Sequence, residues 1–337
     1  MQEKSSLTNV NELFEAFKDL KVLVLGDVMI DAYLWGKVNR ISPEAPVPIV
    51  AANRKENRLG GAANVALNIK ALGAEPYLCA VVGKDDDASI FSTLMHEADM
   101  RTDLIFRFER PTTVKTRIIG NNAQMLRVDK EVDHYPTAAE IAKMTESVLA
   151  ILPEVDVVIF EDYDKGGLSP DFIRSVIQKA QKQAIPVMVD PKKRQFNAYQ
   201  GADWFKPNMK ELLEGLQLPL TGQEEAAEFF PYIQTFLKEQ SIKNLLLTRS
   251  ELGVMWAAAS GFHSIPAHIR KIYDVSGAGD TVVSVAALCV AVGLSPYATA
   301  EVANLAGGLV CEKVGVVPID RDRLMNEIKS LKVFENK

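Results

Sequence analysis

Short apolar runs that each end in polar residues recur along this chain, and they constrain its fold more than any other feature. KVLVLGD (21–27), PYLCAVVG (76–83), VDVVIFED (155–162), IPVMVDP (185–191) and KNLLLTRS (243–250) are runs of this kind. They read as strands buried on both faces, the pattern expected inside a parallel sheet. Helix-like segments separate them. GGAANVALNIKALGA (60–74) turns helical after its glycines, and DDDASIFSTLMHEADM (85–100) opens with acidic residues suited to a helix N-terminus. The first 20 residues read as an amphipathic helix, with Leu13, Phe14, Phe17 and Leu20 at helical spacing. This alternation predicts an α/β fold: a mainly parallel sheet with helices on both faces.

Ligands of such sheets bind beyond the carboxyl ends of the strands. Asp27, Glu161 with Asp162, Asp190, and Thr248 with Arg249 all stand at such ends. Two segments break the alternation. Residues 32–54 hold three prolines and few helix signals, and residues 110–130 read as half-exposed strands. Together they are expected to form a small β-rich lid beside the main sheet.

Composition narrows the function. With 337 residues, 47% hydrophobic and 24% charged, the chain can bury a sizeable core, and a single large α/β domain over 1–337 is the simplest division. A net charge of −6 leaves no global basic field for nucleic acid, so an anionic substrate must be held by local cations or backbone N–H groups. Cys79, Cys289 and Cys311 lie in separate apolar runs, which argues for buried thiols over a disulfide framework or zinc site. The N-terminus lacks an apolar signal core, and no apolar run approaches the roughly 18 residues that span a bilayer. A cytoplasmic protein with no membrane partner is therefore expected.

Three constellations can carry chemistry. In YDVSGAGD, Gly277, Ala278 and Gly279 lead directly into an apolar helix, whose first turn exposes unpaired N–H groups. Asp280 in that turn would sit beside a bound phosphate and accept a proton from an attacking hydroxyl. A plain glycine turn with a first-turn aspartate remains open. In RLGGAAN, Gly60 and Gly61 allow close backbone approach, and Asn64 can donate to and accept from sugar hydroxyls; a loop capping a packed helix fits equally. In KPNMKELLE, Asn208 and Glu211 share a helical face and can hold Mg²⁺ through waters, or they are simply a helix capping box. Phosphate-loop, HExxH, protein-kinase and dinucleotide-binding motifs are absent, and His96, His134, His263 and His268 do not cluster at ligand spacing.

GGAANVALNIKALGAEPYLCAVVG and DVSGAGD resemble the two signatures of the ribokinase-like (PfkB) carbohydrate kinases, in the same order and at fitting separation. The resemblance runs from about Val22 to Ile319. GDVMIDAYLWGKVNRISPEAPVPIV, EDYDKGGLS, VDPKK, KPNMKE and LLLTRSELG are similar to one branch, whose members phosphorylate a heptose 7-phosphate on the way to ADP-heptose and the lipopolysaccharide core.

The resemblance implies a three-layer αβα sandwich with a β-lid, often a homodimer joined through that lid. It implies that Asp280 is the catalytic base and that Gly277, Ala278 and Gly279 form the anion hole. Asn208 and Glu211 would organise Mg²⁺ and the ATP phosphates. Thr248, Arg249 and Gly253 would lie beside the nucleotide and Asn304 near the adenine. Asp27, Gly60, Gly61 and Asn64 would contact sugar hydroxyls. Asp274 and Ser276 match part of a monovalent-cation site, K⁺ in particular. A sugar phosphate carries a second anion, for which Arg40, Lys115, Arg117, Arg127, Lys165 and Lys192 are candidates, with Asp162 also on the substrate side. The branch's bifunctional members continue into a nucleotidyltransferase domain with an HxGH-type motif, which is not found here. A kinase working beside a separate nucleotidyltransferase is expected. Two other readings stand beside it: a related kinase for fructose, ribose or tagatose 6-phosphate, and a catalytically silent sugar-phosphate sensor.

Overall fold

The structure is a computed structural model that describes residues 9–222 and 224–330. Helix α1 (Val10–Phe17) leads into β1 (Lys21–Gly26), β2 (Val28–Ile41), β3 (Pro48–Gly61), α2 (Ala62–Ala71), β4 (Glu75–Val82), α3 (Asp86–Glu97), β5 (Ile105–Arg107), β6 (Val114–Gly120) and β7 (Ala123–Lys130). The second half runs through α4 (Ala138–Ile151), β8 (Val157–Glu161), α5 (Pro170–Lys182), β9 (Val187–Asp190), β10 (Trp204–Phe205), α6 (Met209–Leu216), α7 (Ala226–Glu239), β11 (Asn244–Thr248), β12 (Val254–Ala258), β13 (Gly261–Ile265), α8 (Ala278–Ala291), α9 (Pro296–Val310) and α10 (Arg321–Ser330). The expected N-terminal helix is shorter than read: Asn9 caps it and it ends at Phe17, while Leu20 is buried beyond it. Residues 1–8 lie outside the described residues.

Nine strands form the main sheet in the order β13-β12-β11-β10-β9-β8-β1-β4-β5. Every neighbouring pair from β11 to β5 is parallel, and only β12 and β13 join antiparallel at one edge. The pleat divides each central strand between two cores, because successive side chains point to opposite faces. Val22 and Val24 of β1 pack with α1, α2, α3, α8, α9 and α10. Leu23 and Leu25 pack with α4, α5, α6 and α7. The three-layer αβα sandwich follows from this parity. It also explains why these strands show no apolar–polar alternation: neither face meets water.

A second sheet, in the order β3-β2-β6-β7, forms the lid. Its strands are longer than the sequence indicated. The expected lid segments were about 32–54 and 110–130, whereas β2 and β3 cover 28–41 and 48–61, and β6 and β7 cover 114–120 and 123–130, starting a few residues later than expected. Val28 to Tyr33 are buried and apolar apart from Asp31, so they blend into the core run before them. Of the three prolines, Pro43 and Pro46 fall in the β2–β3 connection and Pro48 begins the edge strand β3, where a missing N–H is tolerated. Among the described residues no helix is long and apolar enough to cross a membrane.

Register sets up the carboxyl end of the sheet. Gly26 pairs with Glu161, and Glu161 pairs with Asp190, so the last residues of β1, β8 and β9 stand abreast. Gly26 has no room for a side chain, since a Cβ there would lie 2.1 Å from the Glu161 carbonyl oxygen. Gly26→Ala is expected to push β1 from β8 and lower stability by about 1–3 kcal/mol, as overpacking does; urea denaturation of the two proteins checks this, and an unchanged midpoint would refute it.

Candidate active site

The apolar stretch after DVSGAG becomes α8, buried on nearly every side from Asp280 to Ala291. Gly277 caps it at φ 79°, in the left-handed region that favours glycine. A Cβ there would also come within 3.0 Å of the Asn64 amide. The N–H groups of Gly279 and Asp280 lie in the first helical turn, where no intrahelical acceptor exists, so they face the sheet end as anion donors.

Asp280 is 4% exposed, and both its oxygens are held. Asn64 Nδ2 donates to Oδ2 at 2.7 Å, and the Tyr163 hydroxyl donates to Oδ1 at 2.8 Å. Burial raises its pKa above the ordinary carboxyl value; the hydrogen bonds from Asn64 and Tyr163 and the charge of Lys206 offset this only in part. A buried carboxylate with raised basicity, fixed at two points beside free helix N–H groups, is suited to receive a proton at a phosphoryl-transfer centre.

The floor beneath Asp280 follows from pleat parity. Glu161, Asp190 and Lys206 share the parity of Val157, Met188 and Trp204, which pack on the face that carries α8. Lys206 is 2% exposed and its ammonium meets Asp190 at 2.8 Å. A Cβ on Gly279 would lie 3.6 Å from the same ammonium, so Lys206 sits directly under the helix N-terminus. Glu161 is 1% exposed and its Oε2 has no hydrogen-bond partner among the described residues. Burial and the charges of Asp190 and Asp280 hold its pKa well above the ordinary value.

The residues of opposite parity build a separate device. Asp27 accepts from the N–H groups of Tyr163 at 3.0 Å, Lys165 at 3.0 Å and Gly167 at 2.8 Å. It therefore clamps the 163–167 loop, which carries Tyr163 to Asp280. Asp162 accepts from Asp164 N–H at 2.8 Å and Tyr199 hydroxyl at 2.9 Å, away from the catalytic face. Gly60 and Gly61 lie against Asp31 and the Asp27 carbonyl; Gly61, at φ 61°, is the turn between β3 and α2 that delivers Asn64.

Asn208 and Glu211 form a full capping box at the start of α6, with reciprocal bonds of 2.9 Å. The second Glu211 oxygen ion-pairs with Lys192, whose ammonium also stands 5.2 Å from the Tyr163 ring centre. The capping-box reading of that segment is thus the one the structure shows, with the second carboxylate oxygen of the cap held by Lys192. Thr248 bridges to Asn208 at the end of β11. Arg249 donates to the Glu224 carbonyl at 2.9 Å and lies over the Phe229 ring. Gly253 at φ 83° and Asn304 meet at one segment: Asn304 donates to the Pro266 carbonyl at 2.9 Å, and a Cβ on Gly253 would strike Ile265 and Ala267 backbone. Asp274 accepts from the N–H groups of Ser276 at 2.9 Å and Gly315 at 2.8 Å. Partial burial would raise its carboxyl pKa, but those N–H bonds win and hold it below the ordinary value.

The lid candidates divide. Arg117 ion-pairs with buried Asp31 and lies over the Tyr33 ring. Arg127 pairs with Asp129 at 2.9 Å on an exposed strand, and Lys165 pairs with Glu131 at 2.8 Å. Arg40 is exposed near the far end of β2. Sequence reasoning passed over Tyr163, Lys206 and Asp31. Each lies beside a residue that was singled out, within EDYDKG, KPN and GDVMID, but nothing in the one-dimensional pattern tells which face it joins.

Comparison with known proteins agrees with this geometry. The profile of the pfkB family carbohydrate kinases matches residues 19–322. The D-beta-D-heptose 7-phosphate kinase of Bordetella bronchiseptica is 42% identical over 307 residues, covering 91% of this chain and 96% of that protein. The bifunctional protein HldE of Koribacter versatilis is 38% identical over 95% of this chain, and that of Caulobacter sp. is 41% identical over 93%. The chain spans 66% and 64% of the length of these two bifunctional relatives. Among solved structures, phosphofructokinase-2 from Escherichia coli in complex with potassium superposes with a TM-score of 0.75 at 18% identity, covering 93% of this chain and 98% of that one. Ribokinase from Arabidopsis thaliana, complexed with ribose and ATP, gives 0.72 at 18% identity over 94% and 99%. At such identity these two share the fold.

Burial, then the nearby Asp27 charge, raises the Asp162 carboxyl from 3.8 to about 7. The folded protein thus binds a proton there that the unfolded chain releases, so this contribution to stability is whole below pH about 4 and is lost as pH rises through about 7. Denaturation across pH 4–8 should show wild type losing stability relative to Asp162→Asn, which keeps an acceptor for Asp164; parallel profiles would refute the assignment.

Proposed function

The chain belongs to the pfkB family of carbohydrate kinases, and from that premise we propose that it transfers the γ-phosphoryl group of ATP to the anomeric hydroxyl of a D-glycero-D-manno-heptose 7-phosphate, giving the 1,7-bisphosphate. The observation that carries the chemistry is Asp280, buried and held at two oxygens beside the free N–H groups of the α8 N-terminus. The acceptor follows from the 42% identical heptose 7-phosphate kinase, matched over nearly its whole length.

The attacking hydroxyl lies against Asp280, which takes its proton as the oxygen–phosphorus bond forms. The N–H groups of Gly279 and Asp280 meet the transferring group, and the Lys206 ammonium beneath them adds positive charge where negative charge spreads. Asn64 and Tyr163 fix the carboxylate, so no rotation is needed at the moment of transfer. Asp27 contributes by holding the 163–167 loop.

ATP would arrive with a divalent cation, and the donor set suits Mg²⁺. Among the described residues no group of three or more His, Cys, Asp or Glu could hold an ion. Mg²⁺ needs no such cage, since it keeps waters and takes one or two carboxylates beside the nucleotide phosphates. Glu211, fixed by its cap and by Lys192, and Asn208 would hold it through water; bound there, it neutralises phosphate charge. The same family resemblance would put a monovalent cation, K⁺ among the candidates, beside Asp274 and Ser276. The exposed Met125, Leu126 and Val128 of β7 support a homodimer joined through the lid.

ADP release with heptose 7-phosphate, against fructose, ribose and tagatose 6-phosphate, tests the acceptor; faster turnover of another sugar would overturn it. Asp280→Asn should cost about 10²–10⁴-fold in kcat with ATP binding retained, and near-normal turnover would remove Asp280 as the base. Glu211→Gln should raise the Mg²⁺ concentration for half-maximal rate roughly tenfold or more; an unchanged Mg²⁺ titration would count against its role.

A further inference from the structure

The inner face of the lid is a cross-strand array of charges. Strand pairing places Lys115 of β6 beside Asp31 of β2 on one side and directly opposite Asp129 of β7 on the other. Each neighbouring acid is already engaged. Asp31 belongs to Arg117, Asp129 to Arg127, and Glu131, just beyond β7, to Lys165. The other half-buried cations are also satisfied: Lys192 holds Glu211, and Arg110 donates to the carbonyls of Val132, His134 and Lys165. Lys115 has neither a hydrogen bond nor an ion pair among the described residues. Its ammonium stands 5.7 Å from the centre of the Tyr163 ring, on the lid side of the catalytic floor.

We infer that Lys115 is the anchor for a phosphomonoester carried by the acceptor at the end remote from the attacking hydroxyl. This rests on the proposed sugar-phosphate kinase activity and deepens it by naming the residue that selects a phosphorylated acceptor. Tyr163 donates to Asp280 through its hydroxyl at 2.8 Å and presents its ring toward Lys115, so one aromatic side chain separates base and anchor. An acceptor laid along that ring meets Asp280 with its hydroxyl and Lys115 with its phosphate.

The electrostatics point the same way. Burial and then the neighbouring charge of Lys165 lower the Lys115 pKa, and the charges of Glu131 and Asp129, each ion-paired elsewhere, offset this only in part. A dianion of about −1.5 to −2 supplies what is missing. Lysine serves as a point charge for phosphate, and a half-buried one is less screened than a surface lysine.

Wild type, Lys115→Ala and Lys115→Arg are compared by ADP release, each with heptose 7-phosphate and with the same heptose lacking its phosphate, and with fructose 6-phosphate against fructose. Loss of a charged contact predicts a rise of about 10- to 100-fold in KM for the phosphorylated acceptor. KM for ATP should stay within about twofold, the unphosphorylated sugar should be unaffected by the alanine, and arginine should recover most of the loss. An equal effect on phosphorylated and unphosphorylated acceptors, or no rise in KM, overturns the proposal. Should wild type prefer another sugar phosphate, the heptose assignment fails while that sugar with and without its phosphate still decides Lys115. Preference for unphosphorylated sugars overturns both. Calorimetric titration with heptose 7-phosphate in the absence of ATP reads the same difference without turnover: weaker binding to Lys115→Ala supports the anchor, and equal affinity refutes it.

Discussion

The buried ion pair between Lys206 and Asp190 is the interaction on which the rest of the site depends. Taking two charges out of water is costly, and removing one partner of such a pair typically costs about 3–5 kcal/mol. Here the cost is met by geometry: β9 and β10 run parallel in adjacent register, so the two side chains emerge side by side on one face. Their position is then used from above. The α8 N-terminus rests over the ammonium, with Gly279 small enough to approach it, and the partial positive end of that helix and the lysine converge on one point. Glu161, its pKa raised by burial and by the surrounding acids, completes the floor.

A second constraint acts through the loop that follows β8. Asp27 gathers three backbone N–H groups from 163–167, and the loop so held swings the Tyr163 hydroxyl onto Asp280. The base is thereby tied to two remote segments, Asn64 on α2 and Tyr163 after β8. The family resemblance implied a sugar contact for Asp27. The structure gives its carboxylate a positioning task, and any contact with sugar uses what acceptor capacity remains.

The lid obeys a charge arithmetic of its own. Its acids on the substrate side are matched one by one to arginines and to Lys165, while Lys115 is left over. That surplus ammonium lies on the same tyrosine ring whose hydroxyl holds Asp280, and the proposed acceptor, with an anion at one end and a hydroxyl at the other, would use both.

Much of this was legible in the sequence, for local reasons. Buried parallel strands announce themselves as apolar runs, and glycines before an apolar helix mark a turn whose N–H groups are free, so the sheet, α8 and Asp280 could be placed from the order of residues alone. The same holds for Asn208 and Glu211, whose three-residue spacing is a helix property. Lid bounds were less legible, because buried Val28 to Tyr33 continue the core run of β1 without a break. What only the tertiary structure decided is which residue meets which: that Glu161, Asp190 and Lys206 share a face while Asp27 and Asp162 take the other, that Tyr163 reaches Asp280, and that the acids beside Lys115 pair with other cations. Those outcomes depend on strand register and pleat parity between segments distant in the chain, and a one-residue shift in register would exchange the two faces.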